Sequence, residues 1–127
     1  YWAFKLRTSA PEAISLQRSI DLSRADIVDV VDAFERFRDS GDAEAIADRT
    51  LQRPELNNPN STDPDIESFY IQLATARRFL QRLDIHLMSA STTEELESLL
   101  AITDKRAFEL NQSWIKARRA AVRFKRG

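Results

Sequence analysis

The chain has no cysteine, two glycines and four prolines in 127 residues. Without cysteine there are no disulfides, no thiolate metal sites and no cysteine nucleophile. The redox compartment stays open, because such a chain folds on either side of a membrane. Two glycines are too few for a fold built on many tight turns, for a glycine-rich phosphate loop or for a Gly-x-Ser-x-Gly nucleophile elbow. Long helices need almost none. No run of 18 apolar residues and no signal-peptide pattern occurs, so nothing in the chain reads as a membrane span. The chain begins at Tyr1 rather than methionine, which predicts that something upstream was trimmed. Tyr1 and Trp2 stand just before Lys5 and Arg7, the order seen where a membrane helix exits on the cytoplasmic side. The plainer reading is an arm over residues 1–10 that docks its aromatics on a bundle.

What is present is periodicity. An apolar fraction of 43% is ordinary for one globular domain of this length. Ser9-Ala10-Pro11-Glu12 reads as a capping box with proline in the first turn. It predicts a first helix over 11–39, with Leu16, Ile20, Ile27, Val30, Val31, Phe34 and Phe37 on one face and Gly41 as a left-handed stop. Asp42 can cap a short second helix over "AEAIADRTLQ" that Pro54 ends, and "RPELNNPNSTD" reads as loop. Asp63 and Pro64 open a third helix whose Ile66, Phe69, Leu73, Ala76, Leu80, Leu83 and Leu87 step by three and four. "SASTTEE" offers two overlapping capping boxes, Ser91 with Glu94 and Thr92 with Glu95. Leu100, Thr103, Ala107, Leu110, Trp114, Ala117, Ala121 and Phe124 then continue the stepping through a fourth helix.

The predicted fold is therefore all-α: an up-and-down helical bundle of four helices with the second short, formed by a single domain over 11–127. In up-down-up-down order both chain ends emerge at one pole, a geometry that suits a module inserted between other segments. The last two turns of helix four overhang the start of helix three and need a companion: the arm, the loop at 53–63 or a following domain. "FERFRDSGDAEAIAD" and "LDIHLMSASTTEELESLLA" share a helix–turn–helix layout, but two unrelated hairpins obeying the same capping rules explain it.

Charge is uneven along the chain. Residues 11–63 carry twelve acids and six bases, residues 64–113 eight and five, and residues 114–127 six bases with no acid. On helix one Asp26, Asp29, Asp32 and Asp39 lie outside the apolar seam. On helix four Lys116, Arg119, Arg123 and Arg126 form a stripe opposite the seam. The stripe can serve as a docking surface for an acidic flank or partner groove. It can also hold nucleic-acid phosphates. On anionic lipid it would bury Ile115, Val122 and Phe124. The plainest reading is a solvated helix end favoured by the helix dipole.

Catalytic signals are sparse. His86 and Asp84, two apart, do not share a helical face, so His86 reads as a partly buried structural residue. No Glu-x-x-His pair of a helical di-metal site occurs, and Glu94 and Glu95 read as cap and dipole partners. Neither a metal nor a cofactor is called for. Asn60-Ser61-Thr62 and Asn111-Gln112-Ser113 fit a glycosylation tripeptide too common to carry weight. Phe69, Tyr70, Phe79 and Trp114 could line a ligand pocket but sit at core spacing. Arg77, Arg78 and Arg82 read as a solvated face.

The function expected is a non-enzymatic protein-interaction or regulatory module, docking through helix one and the basic C-terminal helix, with Lys116, Arg119, Arg123, Arg126, Asp29 and Asp32 as contact residues. A protein partner is expected, and heptad seams leave room for a homodimer. One alternative is a ligand-sensing bundle anchored to a membrane through a segment before Tyr1, although the arginine-rich end favours the cytoplasmic side. A second is nucleic-acid or anionic-lipid binding through the basic helix.

Overall fold

The computed structural model describes the backbone of residues 2–126 and the side chains of residues 10–125. Among them there is no strand, and four helices form an all-α bundle: α1 (Trp2–Asp39), α2 (Ala43–Ala47), α3 (Pro64–Ser89) and α4 (Thr93–Arg126). A π-helical turn, Asp48–Gln52, carries α2 on to about ten residues, and a 3₁₀ turn, Pro54–Asn57, follows.

Helix starts obey local chemistry where a cap has no competitor. Asp42 accepts from the Glu44 amide at 2.8 Å, and Asp63 accepts from the Asp65 and Ile66 amides at 2.9 and 3.2 Å, each satisfying orphan donors of a first turn. At α4 the Thr92 hydroxyl accepts from the Glu95 amide at 3.1 Å. The Ser91–Glu94 box does not form, because the Ser91 hydroxyl donates instead to Glu95 at 3.2 Å.

Two ends of α1 differ from expectation. The helix begins at Trp2 and runs through Pro11, so the stretch set apart as an arm is helical from Trp2. Proline forfeits one bond to the preceding turn, and exposed Pro11 leaves that carbonyl to water. The expected docking of Tyr1 and Trp2 lies outside the described residues. At the other end no described glycine has positive φ, so Gly41 is not a left-handed stop. Arg49 closes α1 instead, its guanidinium donating to the Ser40 carbonyl at 2.6 Å and the Phe37 carbonyl at 3.3 Å. A side chain thus satisfies carbonyls that a glycine motif otherwise serves.

The side-chain pairings fix the helix directions. Arg24 reaches Asp84 and Glu35 meets Arg77, so α1 and α3 are antiparallel. Ser23 bonds Asp104, and Phe34 stacks edge-on to Trp114, so α1 and α4 run parallel. The α2 segment is too short to return across the bundle. It folds over one pole, and α3 makes the return. Consequently the start of α1 and the end of α4 lie at opposite poles, not at the shared pole expected from an up-down-up-down order.

α4 is the central staff, packed against both α1 and α3. Its seam turns small residues inward: Ala107, Ala117, Ala120 and Ala121 are buried, which lets neighbours approach closely. Around them Phe34, Phe69, Tyr70 and Trp114 interlock, with Phe69 and Trp114 ring centres 5.1 Å apart. The overhang of α4 finds its companion in the 3₁₀ turn, which contacts it and whose Leu56 is fully buried in the stretch expected to be plain loop. Tyr70 donates its hydroxyl to the Leu56 carbonyl at 2.7 Å, and burial raises the phenol's pKa above its ordinary value, against the pull of Arg38. Beyond the polar level of Ser23 and Thr103, a smaller aliphatic cluster of Ile20, Leu83, Leu96 and Leu99 closes the other pole. Thr103 is buried yet satisfied, donating to the Leu99 carbonyl at 2.7 Å.

Candidate interaction surface

α3 and the 3₁₀ turn cover part of α4 and α1 covers another, but one side between α1 and α4 is left open. On the outer side of α4, away from its core seam, stand Ala101, Phe108, Ile115 and Val122, one residue in every seven, with Phe108 at the groove and Ile115 and Val122 half-buried beside Arg53. Seven residues advance a helix to within about 20° of the same direction, so the four make one stripe outside the core seam. Phe108 is 67% exposed, and Leu22 on the neighbouring side of α1 is 71% exposed. Between the helices runs a groove of about 600 Å³ with Val30, Ala33 and Ala107 in its floor and Asp26, Asp29 and Asp104 around it. The Ser23 hydroxyl donates to Asp104 and ties the two walls together at this level.

The same stripe changes sign along its length. Past Trp114 the residues around Ile115 and Val122 are Arg53, Arg118, Arg119 and Arg123. Arg118 lies over the Trp114 ring, 5.4 Å from its centre, and Arg123 pairs with Asp65 at 3.2 Å. Arg119 has no ion pair among the described residues. The face therefore reads acidic, apolar, basic along α4.

The residues expected to make contacts do not all share this face. Asp29 lines the groove, and Arg119 and Arg123 flank its basic end. Lys116 turns to the α3 side, near Asp65 and Gln72. Asp32 stands apart beside Glu35, Arg36 and Asp39. There Arg38 hydrogen-bonds Asp39 through two nitrogens and holds that carboxyl below its ordinary range. The side chain of Arg126 lies outside the described residues. Phe108, the most prominent apolar group on the face, escaped the sequence reading. Its signal was present as the second heptad of α4, offset from the seam and hidden by polar neighbours.

Other candidates resolve simply. His86 is exposed rather than partly buried, since the position before Leu87 points about 100° away from it. Asp84 engages Arg24 at 2.7 Å. Phe69, Tyr70 and Trp114 pack against Phe34 and one another, and Phe79 packs partly buried between the two core clusters. Arg77 turns to Glu35 of α1 at 3.3 Å. Among the described residues no group of three His, Asp or Glu side chains could hold a metal ion, and no helix is long and apolar enough to cross a membrane. No family model, curated protein or solved structure matches this chain.

Proposed function

We propose that this chain is a non-enzymatic protein-interaction module that docks a partner along the open α1–α4 face. The carrying observation is the heptad stripe of Ala101, Phe108, Ile115 and Val122 left beside a groove of charged rim and apolar floor. An exposed phenylalanine beside an apolar groove floor, rimmed by charge, has the anatomy of a contact surface: apolar centre, polar edge. Arg119 and Arg123 supply steering and register, whereas Phe108 supplies affinity.

The test compares Phe108→Asp with the combined Lys116→Gln, Arg119→Gln, Arg123→Gln variant, both checked for helicity and melting. Partners are recovered by cross-linking from the source cell's extract, and RNA, DNA and anionic vesicles are titrated at several salt concentrations. Docking predicts that Phe108→Asp removes the cross-linked partner while the triple variant weakens it with a shallow salt dependence. Tight, steeply salt-dependent binding to nucleic acid or vesicles that the triple variant loses and Phe108→Asp keeps would overturn the reading.

A further inference from the structure

We infer that the occupant of the open face is a second copy of this chain, with its α4 laid antiparallel on the first about a two-fold axis between Asn111 and Gln112. The inference rests on the docking reading above and names its partner. Three observations carry it. The first is the exposed face itself: Phe108 on α4 is 67% exposed and Leu22 on α1 71%, and the groove of about 600 Å³ is lined by residues of α1 and α4 alone. The second is the spacing of apolar groups. In an antiparallel pair centred between 111 and 112, Phe108 falls opposite Ile115 of the second copy and Ala101 opposite Val122, a bulky group with a medium one at the centre and a small one with a medium one outside. Asn111 and Gln112 meet across the axis as amide pairs, a device that fixes register in helical seams.

The third observation is charge order. The acidic half of the face (Asp26, Asp29, Asp104) and its basic half (Arg118, Arg119, Arg123) lie on either side of that axis. Two-fold rotation therefore places Asp104 opposite Arg119 of the second copy, and Arg119 opposite its Asp104. Because Ser23 and Asp104 are level and α1 and α4 run parallel, Asp26 stands beside Ala107, about 4.5 Å along the axis from the level of the same Arg119. A parallel pairing would set acid on acid and base on base. The face complements itself in one direction only.

The absence of cysteine makes the test clean. Sedimentation of the full chain over a concentration series should show a species of twice the 14.6 kDa chain mass. Asp104→Arg and Arg119→Asp should each raise the dimer Kd about tenfold or more, and an equimolar mixture of the two should recover dimer, because each copy then offers what the other needs. A single cysteine at Asn111 should cross-link under mild oxidation, and one at exposed Gln81 on α3 should not, which holds even if Asp104→Arg disturbs Ser23. A chain monomeric to about 0.5 mM, or a dimer indifferent to both reversals, or equal cross-linking at the two cysteines, overturns the inference. If the monomer nevertheless loses a different protein on Phe108→Asp, the docking reading stands without it.

Discussion

At the pole where α1 ends and α3 begins, Phe34, Phe69, Tyr70 and Trp114 pack with ring centres 5.1 to 6.3 Å apart, and the 3₁₀ turn covers them with Leu56. At the α3–α4 turn the buried core is Ile20, Leu83, Leu96 and Leu99, with the partly buried Phe79 at its edge. The first pole has an extra layer because the 3₁₀ turn after the α2 segment inserts Leu56, while Ile46 and Leu51 of that segment stay exposed. The second has only a tight turn. Burial is thus concentrated toward one end, and hydrophobic stabilisation, which follows apolar area removed from water, concentrates with it.

Truncating one side chain at each pole should separate the two most strongly. Phe34→Ala should destabilise by about 3–5 kcal/mol, and Leu83→Ala, buried but smaller, by about 2–5 kcal/mol with the smaller shift in urea midpoint. Equal midpoints would show that the two poles contribute alike. A finer cut is Tyr70→Phe, which removes the bond to the Leu56 carbonyl and should cost about 0.5–1.5 kcal/mol at neutral pH. Its pH dependence has a definite sign. Burial raises the Tyr70 pKa in the folded chain, so the stability linked to its proton is complete below about pH 10 and declines as pH rises from there through the folded value. The gap between Tyr70→Phe and the unaltered chain should therefore narrow in urea melts above pH 10. The smallest expected effect is at Gly41, where an added Cβ meets nothing within 4 Å and φ is not positive. Gly41→Ala should stabilise by about 0.4–1 kcal/mol through the unfolded chain. A loss of stability there would mean that the link after α1 needs a glycine after all.

Much of the fold was legible because its signals are local. The seam of α3, the caps at Asp42, Asp63 and Thr92 and the overhang of α4 follow from spacing and from orphan amides that a nearby oxygen can satisfy. What escaped depends on distant partners. Arg49 displaces Gly41 as the closure of α1 because it approaches from nine residues ahead, and Leu56 is buried because α4 runs past the start of α3. The shared pole was expected by counting the short α2 as one pass of an up-down-up-down order, whereas its length lets it only fold over one pole. Of the contact residues, Asp29, Arg119 and Arg123 fall on the open face and Lys116 and Asp32 do not. A stripe drawn on one helix cannot show where its neighbours end, and Phe108 becomes visible only once α1 and α3 are placed around it.

The parallel course of α1 and α4 has a mechanical corollary. With the start of α1 at one pole and the end of α4 at the other, tension applied between them drags two long rods past each other lengthwise. Every layer along their shared boundary then resists at once, instead of parting one after another as in a hairpin peeled from its open end.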